Sequence, residues 1–360
     1  MTQNPLVSIV TPAYNAGRYI EETAASVLAQ DYPNLEYIVV DDGSADDTAE
    51  RLHRLDPRVR VVRQANAGEQ RAVNRGVAEA RGDLLAIVNA DDPLLPGLVR
   101  CAVDHLTQHP ELAGVYPEWL KIDGDGRVLE VVHLPDYDYA RLLKRHLCDI
   151  GPGCLFRRSA LDGAPPRDPR FRYSGDFQQW LRLGLHRPFA RLPLVLATWR
   201  LHDAGTSQAG LSAALAADKV AMIEDLFARA DLPPALRAMR AEALSAAHFA
   251  AAALALHHPA IPGRRHMWRS LRAKPRWDPP DLPERRRTWR LILFALGLPV
   301  TRPLIALNQR WRGSEIDRSA LPGLHYAAWL TAVRPLEQAP QPVADRECVR
   351  LQAGTEPRIQ

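Results

Sequence analysis

The fold is decided by residues 7–48, which read VSIVTPAYNAGRYIEETAASVLAQDYPNLEYIVVDDGSADDT. Two short, nearly continuous apolar runs, VSIV and YIVV, flank a segment in which Ile20, Ala24 and Val27 recur at helical spacing. Short apolar strands that alternate with helical segments are typical of βαβ units. The stretch therefore predicts an α/β fold, with a mostly parallel sheet whose strands are covered by helices on both faces.

The same alternation continues to residue 89, and the pattern loosens beyond it. Two more strands are predicted at Val59–Val62 (VRVV) and Leu84–Val88 (LLAIV), separated by another helical segment. Further elements are predicted at Gly97–His109 (helix), Val115–Ile122 (strand) and Val128–His133 (strand).

Chain length and composition predict three regions. At roughly 150 residues per domain, a chain of 360 residues predicts about two domains. We expect an α/β domain over residues 1–205, an alanine-rich helical region over 206–262, and an Arg/Trp-rich helical segment with a tail over 263–360.

Composition excludes several classes of protein. The chain has 46% apolar and 24% charged residues, which is ordinary globular composition and argues against disorder. Its four cysteines show no metal-ligand spacing, which argues against a zinc module or a disulfide framework. The N-terminal residues lack a signal-peptide pattern, and the longest apolar run, Leu291–Val300, is shorter than the roughly 20 residues that cross a bilayer. We therefore expect a cytoplasmic protein with no membrane span.

Acidic side chains follow two of the predicted strands. Asp41 and Asp42 follow the second strand, and Asn89, Asp91 and Asp92 follow the fourth. Ligands of open parallel sheets bind beyond the carboxyl ends of strands, so we expect these side chains at one rim. Adjacent carboxylates repel each other unless a donor or a cation binds them. A pyrimidine imide N–H is such a donor for the first cluster, and Mg²⁺ held together with substrate phosphates suits the second.

The loops that follow the first two predicted strands can be explained in structural terms, and the first of them also in functional terms. The loop TPAYN at residues 11–15 is either a nucleotide platform, on which Tyr14 stacks against a base, or a simple strand-to-helix turn. Asp46 and Asp47, in contrast, are read as caps of the following helix.

Residues 6–92 resemble the family 2 glycosyltransferases, which have the GT-A nucleotide-sugar-binding fold. The resemblance rests on the stretch quoted above, on NAGEQRAVNRGVAEARGD, and on the strand that leads into NADD. A weaker match continues to about residue 205 through PGCLFRRSAL, SGDFQQWLRLG and WRLHDAGTS. It implies a GT-A domain over residues 1–205 that transfers a sugar, with inversion, from a UDP- or dTDP-sugar to a hydroxyl acceptor in cell-surface polysaccharide or glycolipid synthesis.

The resemblance also implies roles for individual residues. The nucleoside would be held by Pro12, Ala13, Tyr14 and Asp42, the diphosphate-sugar would be faced by Arg71 and Asn74, and a divalent metal, Mn²⁺ or Mg²⁺, would be bound by Asp91 and Asp92. Asn89 departs from the family's usual DxD pattern, which lowers the expected affinity for the metal.

Two residues beyond the first 92 have paired interpretations. Asp176 in SGDFQQWLRL matches the family's catalytic base, which removes the proton of the acceptor hydroxyl, but an N-cap aspartate would give the same sequence. His202, which follows the strand-like run ATWRL, is read as a ligand of the metal or the diphosphate, or as a surface histidine.

Residues 264–312 carry 13 basic and three acidic residues, interleaved with four tryptophans. This segment has three interpretations. It could bind an anionic membrane surface, which would suit a lipid-linked acceptor, or it could be a solvated helical face. It could also bind nucleic acid, although no binding signature is found. The expected location is the cytoplasm or the inner face of its membrane.

Two alternatives to glycosyl transfer stay open. A sugar-phosphate nucleotidyltransferase is one, although TPAYNAGRYI makes a poor phosphate loop. A catalytically silent scaffold that binds polysaccharide or membrane is the other, motivated by Asn89.

Overall fold

The computed structural model describes residues 4–202, 205, 212–255, 261–274 and 325–327. The strands in these ranges are β1 Val7–Ala13, β2 Leu35–Asp41, β3 Val59–Arg63, β4 Leu84–Ile87, β5 Gly114–Asp123, β6 Val128–Val132, β7 Leu155–Arg157 and β8 Phe189–Leu201. They form one sheet in the order β3-β2-β1-β4-β7-β5-β6, with β8 paired to β5. The pairs from β3 to β4 are parallel, as is β5 with β8, whereas β7 and β6 run antiparallel to their neighbours.

The helices of the same ranges are α1 Ile20–Leu28, α2 Thr48–His53, α3 Glu69–Glu79, α4 Leu98–Gln108, α5 Tyr139–Arg145, α6 Gly175–Leu183, α7 Ala213–Ala228, α8 Pro234–Arg237, α9 Arg240–Leu254 and α10 Gly263–Ala273. The predicted α/β class is confirmed, because helices alternate with the parallel strands as far as β4. The helix predicted over Gly97–His109 and the strands near Val115–Ile122 and Val128–His133 are also present as α4, β5 and β6.

The sheet packs a hydrophobic layer on each face, because successive residues of a strand point to opposite sides. Ile9 of β1 lies in one layer together with the apolar face of α1, and Val10 lies in the other with α3. Gly76 of α3 permits a close approach, since a Cβ atom there would lie 2.3 Å from Val10 Cγ1. The alternation that predicted helices on both faces is thus realised in the packing.

The alanine-rich region shares a hydrophobic core with the α/β part. Helices α7 and α9 share one hydrophobic cluster with α5 and α6, including Leu142, Phe177, Ile223 and Ala247. Residues on both sides of the predicted boundary near residue 205 therefore lie in one hydrophobic cluster. The division into domains stays a prediction.

Other features of the chain were not predicted or are not described. Strand β7 and helix α5 were missed, and β8 is longer than the predicted ATWRL run. Within the described ranges, no helix is both long enough and apolar enough to cross a bilayer. The Arg/Trp-rich segment is described only as far as residue 274, and only residues 325–327 are described in the tail, so the remainder of that prediction lies outside the described residues.

Candidate active site

The carboxyl ends of β1, β2 and β4 form the rim where the site was predicted. β1 runs to Ala13, so Pro12 lies inside the strand rather than in a loop. Pro12 has no N–H to donate, and the neighbouring β4 has already ended at Ile87. The Ala13 carbonyl accepts a hydrogen bond from the Asp42 N–H at 2.8 Å. Pro12 and Ala13 are buried, whereas the ring of Tyr14 is 53% exposed and open to a stacking partner.

The adjacent carboxylates at the end of β2 are both bonded within the chain. Asp41 Oδ1 accepts a hydrogen bond from the Ser44 N–H at 2.9 Å, and its Oδ2 lies 3.2 Å from Arg63 Nε. Asp42 is satisfied as well, by the loop that precedes α3. Groups of the protein thus contact both carboxylates, although Asp41 Oδ2 accepts no hydrogen bond among the described residues, and the expected ligand contact stays a prediction.

Asp42 ties the β3–α3 loop to the end of β2. Its Oδ1 accepts hydrogen bonds from Gln64 Nε2 and the Ala67 N–H, and its Oδ2 accepts one from the Gly68 N–H, each at 2.8 Å. The residue is only 2% exposed. Asp42 thus has a structural role that the sequence did not reveal, and its contact with a pyrimidine stays a prediction that would use the acceptor capacity left at Oδ2.

Asp92 anchors the NADD loop. Its Oδ1 accepts a hydrogen bond from the Arg200 N–H at 2.7 Å, and its Oδ2 accepts one from Asn89 Nδ2 at 2.9 Å. Burial raises the pKa of Asp92 well above its usual value, and the charge of Asp91 raises it further. Asn89 therefore supplies a donor that an ionised aspartate could not. The predicted metal role of Asp92 stays a prediction, since both of its oxygens already bond within the chain.

Asp91 and His202 meet at the rim although 111 residues separate them in sequence. Asp91 Oδ2 lies 2.8 Å from His202 Nε2, and both side chains are partly open to solvent. The imidazole packs against the ring of Tyr19, with 4.8 Å between ring centroids. Arg200 fixes the loop beneath them, because its Nε donates to the Asp91 carbonyl at 2.8 Å and its Nη2 pairs with Glu22 at 2.6 Å.

The pair fits a divalent cation that is shared with a substrate. Two ligand atoms 2.8 Å apart suit adjacent positions on an ion whose bonds are about 2.0–2.2 Å long. In the described part of the chain, no group of three or more His, Cys, Asp or Glu side chains could hold a metal by itself. Asp91 and His202 would therefore hold the ion together with oxygens of a bound diphosphate.

Asp176 lies in the first turn of α6 and is exposed. The N-cap of this helix is Ser174, so the N-cap reading of Asp176 is wrong. Its Oδ1 accepts a hydrogen bond from the Phe177 N–H at 2.7 Å, which leaves the other oxygen without a hydrogen bond in the described chain. The geometry is compatible with a base, and that role stays a prediction.

Glu69 lies near both Asp91 and Asp176, and it was not among the residues predicted from the sequence. It is the first residue of α3 and is half-buried. Burial raises its pKa, the charge of Arg167 lowers it, and the charges of Asp176 and Asp91 raise it. Both of those carboxylates are thus close enough to act on the same acid. A glutamate in the first turn of a helix is common for electrostatic reasons alone, so the sequence carried no functional signal here.

The residues predicted to face the diphosphate-sugar differ in what they contact. Asn74 exchanges two hydrogen bonds with the backbone of Arg167, at 2.8 and 2.9 Å, and so holds the loop that contains it. Arg71 is exposed and donates from its Nη1 to the Ala67 carbonyl at 3.2 Å. Arg71 can still turn towards a ligand, whereas Asn74 is committed to the fold. Both predicted ligand contacts remain untested.

Comparison with known proteins relates part of this chain to a family. Residues 8–163 match the family model described as glycosyl transferase family 2. The chain is 31% identical to the chondroitin synthase of Escherichia coli over 207 residues, which cover 56% of this chain and 30% of that protein. It therefore spans less than a third of the length of this relative.

Two solved structures share the fold. TarS of S. aureus, residues 1–349 in complex with UDP-GlcNAc, superposes with a TM-score of 0.58 at 18% identity and covers 74% of this chain and 79% of its own. The mannosyltransferase PcManGT of Pyrobaculum calidifontis, in complex with GDP-Man and Mn²⁺, gives a TM-score of 0.55 at 17% identity over 92% of this chain and 84% of its own. At these identities the likeness concerns the fold, and it agrees with the GT-A architecture expected from the sequence.

Proposed function

We propose, from the premise that residues 8–163 form a glycosyl transferase family 2 domain, that this chain transfers a sugar from a nucleotide-diphosphate-sugar to a hydroxyl acceptor with inversion. One observation carries the proposal: Asp91 pairs with His202 at the rim, and the start of α6, which carries Asp176, contacts the start of α3, whose Gly68 bonds Asp42 at the same rim. A place for a diphosphate and a place for a base thus lie near one acid, Glu69, whose pKa the charges of Asp91 and Asp176 both raise. An inverting displacement needs both places, because the nucleophile attacks the anomeric carbon from the face opposite the departing diphosphate.

Asp176 is the proposed catalytic base. One of its oxygens is occupied by the Phe177 N–H, which fixes the carboxylate, and the other can accept the proton of an acceptor hydroxyl. The oxygen of the acceptor hydroxyl then attacks the anomeric carbon, which forms the new glycosidic bond and breaks the bond to the diphosphate. A single displacement of this kind inverts the anomeric centre.

The leaving diphosphate is proposed to lie at Asp91 and His202. A bound Mn²⁺ or Mg²⁺ would supply positive charge that stabilises the departing diphosphate. Arg71, exposed on α3, would add a second positive charge from the protein. The nucleoside would lie over β1 and β2, with a UDP or dTDP base stacked on Tyr14 and Asp42 as its polar contact.

The acceptor class is proposed from the relatives and from α10. The relative named chondroitin synthase supports a glycan product, and a glycolipid acceptor would require the protein to reach a membrane. The exposed residues of α10 are Arg264, Arg265, Trp268, Arg269 and Arg272, and α10 contains no acidic residue. Arginines around an exposed tryptophan suit an anionic lipid surface. We therefore propose peripheral attachment at the inner membrane face.

Attachment can be tested with full-length protein and vesicles. Arg265→Gln combined with Trp268→Ala should reduce co-sedimentation with vesicles that contain phosphatidylglycerol, and Arg54→Gln, an exposed arginine of the α/β part, is the matched control. Equal sedimentation of wild type and variant would contradict the membrane proposal. Binding to phosphatidylcholine vesicles should be weak for all three proteins.

The activity itself is tested with a donor panel. The full chain is incubated with UDP-, dTDP- and GDP-sugars and Mn²⁺, and the released nucleotide product is identified. Release of a nucleoside diphosphate is expected and supports glycosyl transfer. Conversion of the donor to a nucleoside triphosphate and a sugar 1-phosphate when pyrophosphate is added would indicate a nucleotidyltransferase, and absence of turnover with every donor would indicate the silent scaffold.

A further inference from the structure

The place of the transferred sugar follows from the proposed function, on which this inference rests. In an inverting displacement the sugar lies between the leaving diphosphate and the base. Here it would lie between Asp91 and Asp176. Side chains of the chain that reach this interval are in a position to contact the hydroxyl groups of the sugar.

Glu69 lies near the space between Asp91 and Asp176, and contacts on both sides of it fix the start of α3. The preceding Gly68 is held by Asp42 Oδ2 at 2.8 Å. The following Gln70 donates to the Arg172 carbonyl at 2.9 Å, and a Cβ added to Gly175, the neighbour of Asp176, would lie only 2.3 Å from Gln70 Oε1. The first turn of α3 is therefore in direct contact with the start of α6 through Gln70, the neighbour of Glu69, and the charges of Asp176 and Asp91 both act on Glu69.

Arg167 reaches the same interval from the loop before α6. Its backbone is held on both sides by Asn74 of α3. Its side chain is only 6% exposed, and its buried Nε has no hydrogen-bond partner among the described residues. A buried N–H without a hydrogen-bond partner is costly, which favours a ligand group that accepts a hydrogen bond from Nε. The opposite charges of Arg167 and Glu69 act on each other across this space.

We propose that Glu69 and Arg167 form the subsite that selects the transferred sugar, and that it takes a neutral sugar in preference to a hexuronate. A carboxylate accepts hydrogen bonds from sugar hydroxyls, and a guanidinium donates to hydroxyl or amide oxygens. The charges of Asp91, Asp176 and one arginine, Arg167, act on Glu69, while Lys219 acts on Asp176. A hexuronate would add a further negative charge beside Glu69. Like-charge juxtaposition of this kind is a usual device of specificity.

The test compares donors that share a nucleotide. Calorimetry with Mn²⁺ measures the binding of UDP, UDP-glucose, UDP-GlcNAc and UDP-glucuronate to the wild type and to Glu69→Gln. The wild type should bind at least one neutral UDP-sugar about tenfold or more tightly than UDP-glucuronate. Glu69→Gln should reduce that ratio at least fivefold, because the repelling charge is removed, and should leave the affinity for UDP unchanged within about twofold. Glu79→Gln, at the far end of the same helix, is the matched control and should preserve the ratio.

Arg167→Lys supplies the second arm, since it keeps the charge and removes the guanidinium fork. It should weaken binding of the neutral UDP-sugar but not of UDP, and a thermal melt without ligand checks that it folds. Unchanged discrimination in Glu69→Gln, or a wild type that prefers UDP-glucuronate, would overturn the subsite while leaving the proposed function in place. Failure of UDP, dTDP and GDP alike to bind would instead overturn the proposed function.

Discussion

Substitution of Asp42 by asparagine should destabilise the protein even when no nucleotide is present. The aspartate accepts three hydrogen bonds of 2.8 Å in a buried position. Hydrogen bonds to a charged group contribute about 1.5–3 kcal/mol each. An asparagine keeps one oxygen for Gln64 and Ala67 but turns an NH2 group towards the Gly68 N–H, so that one bond is lost and two are weakened.

The expected loss in the free energy of unfolding is about 2–4 kcal/mol, because the lower cost of burying a neutral amide offsets part of the lost bonding. Urea denaturation of the ligand-free protein, followed by tryptophan fluorescence, measures this loss. The matched control is Asp47→Asn, which breaks an ion pair of 2.8 Å with Arg51 at a half-exposed position and should cost less than about 1 kcal/mol.

One combination of results would contradict a structural role for Asp42. If Asp42→Asn unfolds within about 0.5 kcal/mol of the wild type but no longer binds a nucleotide, Asp42 serves a ligand and does not hold the β3–α3 loop. A loss of both stability and binding would agree with the structure, because the loop that Asp42 holds begins the helix that carries Glu69.

Three further perturbations test other parts of the structure. Gly76→Ala should cost about 1–3 kcal/mol by urea denaturation, because the new Cβ meets Val10 Cγ1 in the core; an unchanged midpoint would refute this packing. Burial lowers the pKa of His248 to about 4, so the neutral imidazole stabilises the fold above about pH 6.5 and that stability is lost as the pH falls towards 4. His248→Asn should therefore lose less stability than the wild type between pH 7 and pH 5, and equal losses would contradict the prediction. Asp91→Asn and His202→Gln should each raise the Mn²⁺ concentration for half-maximal nucleoside diphosphate release by about tenfold or more, and an unchanged requirement would remove them as metal ligands.

The sequence was sufficient for the parallel strands β1 to β4 and for the position of the rim. Apolar runs such as VSIV and LLAIV locate strands because strands covered on both faces must be apolar throughout, and acids that follow them must lie at the carboxyl edge. β7 was missed because three residues carry no periodicity. β8 was underestimated because Pro193 and a shift of register interrupt its pairing with β5.

The partners of the site residues were beyond the sequence, because they come from distant parts of the chain. The donors that satisfy Asp42 lie 22 to 26 residues away, and His202 reaches Asp91 across 111 residues. Glu69 and Arg167 gave no pattern, since one occupies an ordinary helix start and the other an irregular loop. Such pairings are decided by how the loops fold back over the rim.

The assignment of Asp176 as the base is tested most directly by comparing Asp176→Asn with the wild type, using the donor that gives turnover. We expect the variant to lose transfer by about a hundredfold or more, the range of a general base, while its donor Kd stays within about threefold of the wild type. Asp104→Asn on α4, which packs on the opposite face of the sheet, should transfer normally. Full transfer by Asp176→Asn, or a donor affinity lost together with activity, would contradict the assignment of the base and with it the proposed geometry of the reaction.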